Sequence, residues 1–136
     1  MDFLRSLMIA ASGLRAQQGR MRVLAENIAN ADSTAATPGG DPYRRKVPTF
    51  ISHFDRAIGA QVVKLGRIER DPSEFRTRYE PGNPAADARG YVKLPNVNDL
   101  IETVDMREAH RSYEANLNVI TATRAMIVRT LDILRG

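Results

Sequence analysis

The sequence predicts a mainly α-helical fold, with long N- and C-terminal helices paired as an antiparallel coiled coil and a small β-rich, loop-rich middle lobe. Two apolar heptad patterns, one at each end of the chain, predict the helices. All seven prolines lie between the two patterns, which predicts a middle region of a different kind. The predicted regions are 1–32 for the N-terminal helix, 33–97 for the middle lobe and 98–136 for the C-terminal helix.

The N-terminal helix is predicted from apolar residues that alternate in steps of three and four. The predicted seam is Leu4, Leu7, Ala11, Leu14, Gln18, Met21, Ala25 and Ile28. Gly13 and Gly19 each weaken an isolated helix by about 1 kcal/mol. The pattern stops at residues 30–34, where short polar side chains favour a turn because they bond to their own backbone.

The middle lobe contains three candidate strands, at 47–54, 62–68 and 91–94. The first contains Pro48, which cannot donate a ladder hydrogen bond and so favours an edge or irregular strand. Glycine and proline clusters at 39–40 and 81–84 are strong breakers of regular structure. We therefore expect a small β-rich lobe with long loops.

The C-terminal helix is predicted to begin after Asn98, which is suited to cap it, while Asp99 and Glu102 complement the positive end of its dipole. Its predicted seam is Met106, His110, Tyr113, Leu117, Ile120, Arg124, Ile127, Leu131 and Leu134. At about 1.5 Å per residue the helix would exceed roughly 50 Å in length. That is too long to cover a compact domain of this size.

Antiparallel pairing of the two seams predicts a register in which Leu7 faces Leu131 and Ile28 faces His110. A two-helix seam covers only one side of each helix, while ordering both helices costs conformational entropy at every residue. We therefore expect a marginal monomer whose remaining apolar faces pack against neighbouring chains; the alternative, a private bundle core, lacks a third helix. Those outer faces would hold Val23, Leu24, Val119, Met126 and Val128. The predicted assembly interface is Leu4, Leu7, Leu14, Met21, Ile28, Tyr113, Leu117, Ile120, Ile127, Leu131 and Leu134.

Composition limits the chemistry that the chain can perform. The absence of cysteine excludes a disulfide framework and a thiol nucleophile. The two histidines, His53 and His110, have no metal-ligand spacing, so no catalytic, cofactor or metal site is predicted and the chain is not expected to be an enzyme. The alternative is a soluble helical regulatory or nucleic-acid-binding protein. It rests on arginine richness and on a basic loop at 44–46 beside Tyr43.

The end of the first helix carries a recognisable signature, LAENIANADS at residues 24–33. Its matching positions are Asn27, Ile28, Ala29, Asn30, Asp32 and Ser33. This segment resembles the signature shared by bacterial flagellar axial proteins of the rod and hook class. Stretches at 40–46 and 79–97 narrow the resemblance to basal-body rod proteins of the proximal rod, the FlgC type. The middle-lobe motif positions are Tyr43, Arg44, Arg45, Pro81, Gly82, Asn83, Pro84, Gly90, Tyr91, Pro95 and Asn96.

This resemblance implies a structural subunit that polymerises into a helical tube, transmits torque and conducts exported axial proteins. Such proteins are exported unfolded by the flagellar type III apparatus, without a cleaved signal peptide, to a rod that spans the periplasm. The implied partners are copies of the chain, other proximal and distal rod proteins, the adaptor between rod and membrane ring, and the export apparatus. Neither nucleic acid nor a small-molecule substrate or cofactor is implied.

Overall fold

The computed structural model describes residues 2–136. Along the sequence, one long helix precedes and another follows a middle region of short strands, and about 47% of the chain is helical and 18% is strand. The helices are α1 (Phe3–Ala29) and α2 (Asp99–Arg135). The strands are β1 (Lys46–Val47), β2 (Phe50–Asp55), β3 (Ala60–Leu65), β4 (Glu69–Arg70), β5 (Arg76–Tyr79) and β6 (Tyr91–Leu94).

Both helices begin at side chains that cap their first turns. The Asp2 carboxylate accepts a hydrogen bond from the Arg5 backbone N–H at 3.1 Å. The Asn98 side chain accepts from the N–H groups of Leu100 and Ile101 at 3.0 and 3.4 Å, so the predicted cap is confirmed. Such bonds satisfy donors that have no partner within the helix. Over residues 2–136, neither helix combines the length and the apolarity needed to cross a membrane.

The strands form three separate two-stranded antiparallel sheets, β1 with β4, β2 with β3 and β5 with β6. Pro48 separates β1 from β2, so the first predicted strand region is split. Gly59 adopts a φ of +65° in the tight turn between β2 and β3, a conformation that glycine adopts without steric cost. β4 and β5 were not predicted, because their charged residues lack the alternation that marks a half-buried strand.

Two compact units divide the chain, and each contains part of both helices. The first unit holds residues 2–21, 49–67 and 107–136. Within it the β2–β3 hairpin packs along α1. The Val63 N–H donates to Ser12 Oγ at 3.3 Å, and a methyl group at Gly19 would lie 2.8 Å from Leu65 Cδ2. Gly19 therefore allows the hairpin to approach the helix closely.

The second unit holds residues 22–48 and 68–106. Its apolar core is small and lies on the β5–β6 hairpin, where Val92 and Leu94 pack with Ala85. Ala35 and Ala86 are partly buried against this cluster. Val23, Leu24, Ala31 and Val97 are also buried in this unit.

The predicted antiparallel coiled coil is wrong, and the fold is a mixture of two helices and small antiparallel sheets. Side chains assigned to the seam face outward: Leu117 is 43% exposed, Leu131 is 55% exposed and Leu134 is 78% exposed. The register also differs. Gly13, which the prediction places opposite Ala125, instead lies so close to Asn116 that a methyl group there would be 2.7 Å from its Oδ1.

The coiled-coil prediction failed because it chose the wrong stripe of helix residues as the buried one. Along α2 the most buried residues recur every seven positions at Glu102, Ala109 and Thr123, with half-buried Asn116 completing the repeat. α1 likewise buries small residues such as Ala10 and Ala16. On α2, small and polar side chains make the contacts inside the chain, while Leu117 and Leu131 are exposed, so choosing the most apolar stripe identified the wrong face of this helix.

Candidate assembly interface

Asn27, in the last turns of α1, is the centre of a buried polar network and is 0% exposed. Its Nδ2 donates to the Lys46 carbonyl at 2.8 Å and to Glu102 Oε2 at 3.1 Å. Its Oδ1 accepts from the Lys46 N–H at 3.0 Å and from the Tyr43 hydroxyl at 2.7 Å. Two donors and two acceptor positions are thus all used, which is the full capacity of a carboxamide. The signature asparagine therefore joins α1, β1 and α2 within the second unit.

Glu102, on the first turn of α2, is the buried charge of the same network and is also 0% exposed. Its Oε1 accepts a hydrogen bond from Arg45 Nε. Arg45 also reaches Asp71 Oδ2 at 3.3 Å and Asp105 Oδ2 at 3.9 Å. A buried carboxylate is tolerated only when it is paired and hydrogen-bonded, and Asn27 and Arg45 supply both. We call Asn27, Tyr43, Arg45, Lys46, Asp71 and Glu102 the polar network.

The network shifts the pKa values of its members. Burial by itself would lower the pKa of Arg45, but hydrogen bonds to Glu102 and Asp71 outweigh it and raise the pKa. The Ser73 backbone N–H and hydroxyl, followed by Arg45, lower the pKa of Asp71. Burial, with the charges of Glu26 and Glu102, raises the pKa of Tyr43 to about 12. Each shift favours the protonation state in which the hydrogen bonds described above are made.

Further motif residues support the network from the middle region. Asn96 Oδ1 accepts from the Arg45 backbone N–H at 2.8 Å, and its Nδ2 donates to the carbonyls of Asp71 and Ser73 at 3.1 Å each. Arg44 Nη1 donates to the same two carbonyls at 2.8 and 2.9 Å. The motif residues at 43–45 and 96 are therefore brought together in space.

The motif between β5 and β6 forms a rigid turn structure. Asp87 Oδ1 accepts from the N–H groups of Arg89 and Tyr91 at 2.8 and 3.0 Å, and these bonds lower the pKa of Asp87, chiefly through Tyr91. Gly90 has a φ of +85°, and an added methyl group would meet Tyr79 at 2.9 Å. The ring of Tyr79 packs edge-on against Tyr91 at 5.3 Å between centroids. Glycine at position 90 is required by both its backbone and its neighbours.

Around this turn the remaining motif residues have simple local roles. Asn83 Nδ2 donates to Glu80 at 3.0 Å, and its Oδ1 accepts from the Ala85 N–H at 2.9 Å. Pro81 packs against Gly90, Gly82 has open space around its Cα, and Pro84 is exposed. The Pro95 carbonyl accepts from Arg76 Nε at 3.4 Å.

The other signature residues shape the end of α1. Asn30 Nδ2 donates to the Glu26 carbonyl at 2.9 Å, and Ser33 Oγ donates to the Asn30 carbonyl at 2.9 Å. Ala29 and Asp32 are exposed, and Ile28 lies at the surface. These contacts end the helix, so the signature marks a structural junction in the second unit.

The predicted assembly residues fall into two groups by exposure. Those that are exposed are Leu4, Ile28, Leu117, Leu131 and Leu134. Those that are half-buried are Leu7, Leu14, Met21, Tyr113, Ile120 and Ile127. Of the additional faces, Val119, Met126 and Val128 are exposed. Val23 and Leu24 are buried within the chain, so their prediction as outer faces was wrong.

Several exposed apolar side chains were not predicted. On α1 and α2 they include Met8, Ile9, Leu100, Ile101, Val104 and Ile133. On the β2–β3 hairpin they are Phe50, Ile51 and Phe54. Exposed large apolar side chains of this kind are available for contacts with other protein chains. The signal for the hairpin was present in its aromatic residues, but imperfect alternation hid which face is solvated.

The two histidines take ordinary surface positions. His53 is exposed on β2, and His110 Nε2 lies 3.2 Å from Glu114 Oε1, one turn away on α2. Among residues 2–136 there is no group of three or more histidine, aspartate or glutamate side chains placed to hold a metal ion. The basic loop is engaged inside the chain through Arg45, and the nucleic-acid alternative has no support.

Comparison with known proteins assigns this architecture to a class. Residues 7–36 match the family described as "Flagella basal body rod protein", and residues 88–133 match "Flagellar basal body rod FlgEFG protein C-terminal". The two matches cover the helical ends and the signature segment. They define the class as flagellar basal-body rod proteins.

Full-length relatives identify the family within that class. The chain is 55% identical over 128 residues to the flagellar basal-body rod protein FlgC of Agrobacterium fabrum, covering 94% of this chain and 92% of the relative. It is 43% identical to that of Salmonella typhimurium, with 92% of each covered, and 39% identical to that of Bacillus subtilis, with 98% and 99% covered. The chain belongs to the family of flagellar basal-body rod protein FlgC. It is a structural subunit of the basal-body rod and functions in bacterial motility.

Proposed function

We propose that this subunit forms part of the proximal rod and polymerises, with copies of itself and other rod proteins, into a helical tube. The observation that carries the proposal is the row of exposed apolar residues along α2, at Leu117, Leu131 and Leu134. Burying one such side chain contributes roughly 1.5–3 kcal/mol, so a long helix that leaves them in water gains stability from neighbours. A tube built in this way would transmit torque and conduct later axial proteins to the distal end.

The same proposal assigns partners and location. The neighbours are other proximal rod proteins, the distal rod and the adaptor that joins the rod to the membrane-embedded ring. The flagellar type III apparatus exports the chain, and the assembled rod spans the periplasm. Resemblance to the family supports these partners, and the exposed stripe supports contacts between helices of different subunits. The predicted assembly residues are proposed as the surfaces that make them.

The test is a charge placed in the exposed stripe. Leu117→Asp should leave the subunit produced and exported but absent from purified basal bodies, and the cells should be non-motile. A carboxylate buried in an apolar contact without a partner is strongly unfavourable. Asn118→Asp is the matched control, since it introduces the same charge at an exposed position one residue away on α2. Motile cells carrying Leu117→Asp in assembled rods would refute the role of this surface.

A further inference from the structure

The second unit also contains a basic cleft beside the polar network. It has a volume of about 400 Å³. The residues that line it are Glu26, Asp41, Pro42, Tyr43, Arg44, Lys46, Arg70 and Phe75. Three cationic side chains therefore face one cleft.

The charges of these three cations are not fully balanced within the chain. Lys46 and Arg70 are direct cross-strand partners on β1 and β4, an arrangement of like charges that destabilises a strand pair. Glu26 pairs with Lys46 at 2.6 Å. Neither Arg44 nor Arg70 has a carboxylate within 4.0 Å in the described part of the chain, residues 2–136.

Arg44 is oriented for recognition before any ligand arrives. Its guanidinium stacks 4.2 Å above the ring of Phe75, and one nitrogen, Nη1, donates to the carbonyls of Asp71 and Ser73. These contacts fix the plane of the guanidinium and occupy one corner of it. The remaining N–H groups form the planar fork that suits a carboxylate, and preorganisation lowers the entropy lost on binding.

The other acidic group in the cleft cannot neutralise it. Asp41 is already paired with Lys93, at 3.0 Å. Glu26 is the one remaining carboxylate among the lining residues, against the charges of Arg44, Lys46 and Arg70. An added carboxylate would relieve the like-charge pair and meet the open edge of Arg44.

We infer that this cleft receives an aspartate or glutamate side chain of a neighbouring rod subunit. The inference rests on the proposed function, because it names the chemistry of one contact in the assembled rod. A protein carboxylate fits the observations because Arg44 offers a planar fork and Arg70 a second cation directly beside it. Apolar contacts are not directional, so this charged contact would fix how the neighbouring subunits are oriented.

Zero-length crosslinking in purified basal bodies tests this contact. A carbodiimide joins a carboxylate to a lysine amine only where the two touch, and the chain has three lysines, Lys46, Lys64 and Lys93. We expect Lys46 to be linked to an aspartate or glutamate of another subunit, identified by mass spectrometry. The internal link from Lys46 to Glu26 in the isolated chain shows that the reagent reaches the cleft. Basal bodies that give only this internal link overturn the inference.

Charge reversal at Arg70 sharpens the test. In Arg70→Glu the intersubunit link at Lys46 should fall about tenfold, because a repulsive charge replaces an attractive one. Arg56→Glu, on the exposed turn after β2, makes the same charge change away from the cleft and should leave the yield unchanged. Selective loss of Arg70→Glu subunits from rods also supports the contact. Equal incorporation and equal link yield for both variants overturn it.

The outcomes separate this contact from the proposed function. If the wild-type chain is absent from purified basal bodies, the proposed function fails. If the chain is present and Lys46 has no link to another subunit, the function stands and the cleft has no such partner. A link from Lys46 to a small-molecule carboxylate overturns the commitment to a protein side chain.

Discussion

The two compact units of the chain differ in the side chains that they bury. The second unit encloses a saturated polar network around Asn27 and Glu102, and each of these side chains is 0% exposed. The first unit buries small residues such as Ala10 and Ala109, and exposes large ones such as Leu131. A polar network specifies one arrangement because each donor needs its acceptor, whereas an exposed apolar stripe can be covered by any complementary neighbour. The polar network therefore fixes the interior of the second unit, whereas the exposed leucines of the first unit are available to neighbouring chains.

The largest expected effect breaks the polar network. Arg45→Leu leaves Glu102 buried without its partner charge and should destabilise the second unit by about 3–5 kcal/mol. Denaturant unfolding followed by circular dichroism would measure it. Arg89→Leu is the control, because Arg89 is an exposed arginine of the same unit with no ion pair among the described residues. Adding Glu102→Leu to Arg45→Leu should recover much of the loss, since apolar replacement of a whole buried pair is close to neutral.

If Arg45→Leu costs no more than Arg89→Leu, the network does not specify the second unit and the comparison between the units fails. If the double variant is as unstable as the single one, the network matters through its geometry rather than through an isolated buried charge.

The difference between the units also explains what could be predicted. Heptad spacing located both helices to within a few residues, because helical periodicity is a local property of the sequence. The Asn98 cap was predictable for the same reason. The stripe of residues through which the helices contact each other was not predictable, because the heptad pattern selects the most apolar face. In the first unit the helices instead come close at Gly13 and Asn116.

Within the polar network, resemblance singled out Asn27, Tyr43 and Arg45, but not Glu102, the buried carboxylate that Asn27 and Arg45 both contact. Glu102 was interpreted only as a helix-dipole residue, since a single glutamate in a first turn is ordinary on a surface helix. Its burial depends on Asn27, 75 positions earlier in the chain. Sequence spacing carries no information about such a distant pair.

A smaller effect sharpens the view of the first unit. Gly13→Ala places a methyl group 2.7 to 3.0 Å from three atoms of the Asn116 amide, whereas Gly19→Ala meets a single methyl of Leu65 at 2.8 Å. Both changes gain up to about 1 kcal/mol of helix propensity. We expect Gly13→Ala to be destabilising by about 1–2 kcal/mol because a whole amide group must move, and Gly19→Ala to be neutral within about 0.5 kcal/mol.

Thermal unfolding of the two variants side by side measures this difference. Truncating the neighbour in Gly13→Ala/Asn116→Ala should restore stability if the overlap is the cause. Equal stability of the two single variants would show that α2 can shift at this point, and the small-residue contact would then not position the helices of the first unit.

The smallest effect concerns Tyr43, at the rim of the polar network. Tyr43→Phe removes the hydrogen bond to Asn27 Oδ1 and should cost about 0.5–1.5 kcal/mol near neutral pH. Because the folded state raises the pKa of Tyr43 from 10.0 to about 12, its contribution is fully present below pH 10 and is lost as the pH rises through 12. Absorbance of ionised tyrosine should show a step near pH 12 that Tyr43→Phe abolishes and Tyr113→Phe retains. If the absorbance step near pH 12 persists in Tyr43→Phe, the polar network does not shield the Tyr43 hydroxyl. The buried part of the network would then extend only as far as Asn27.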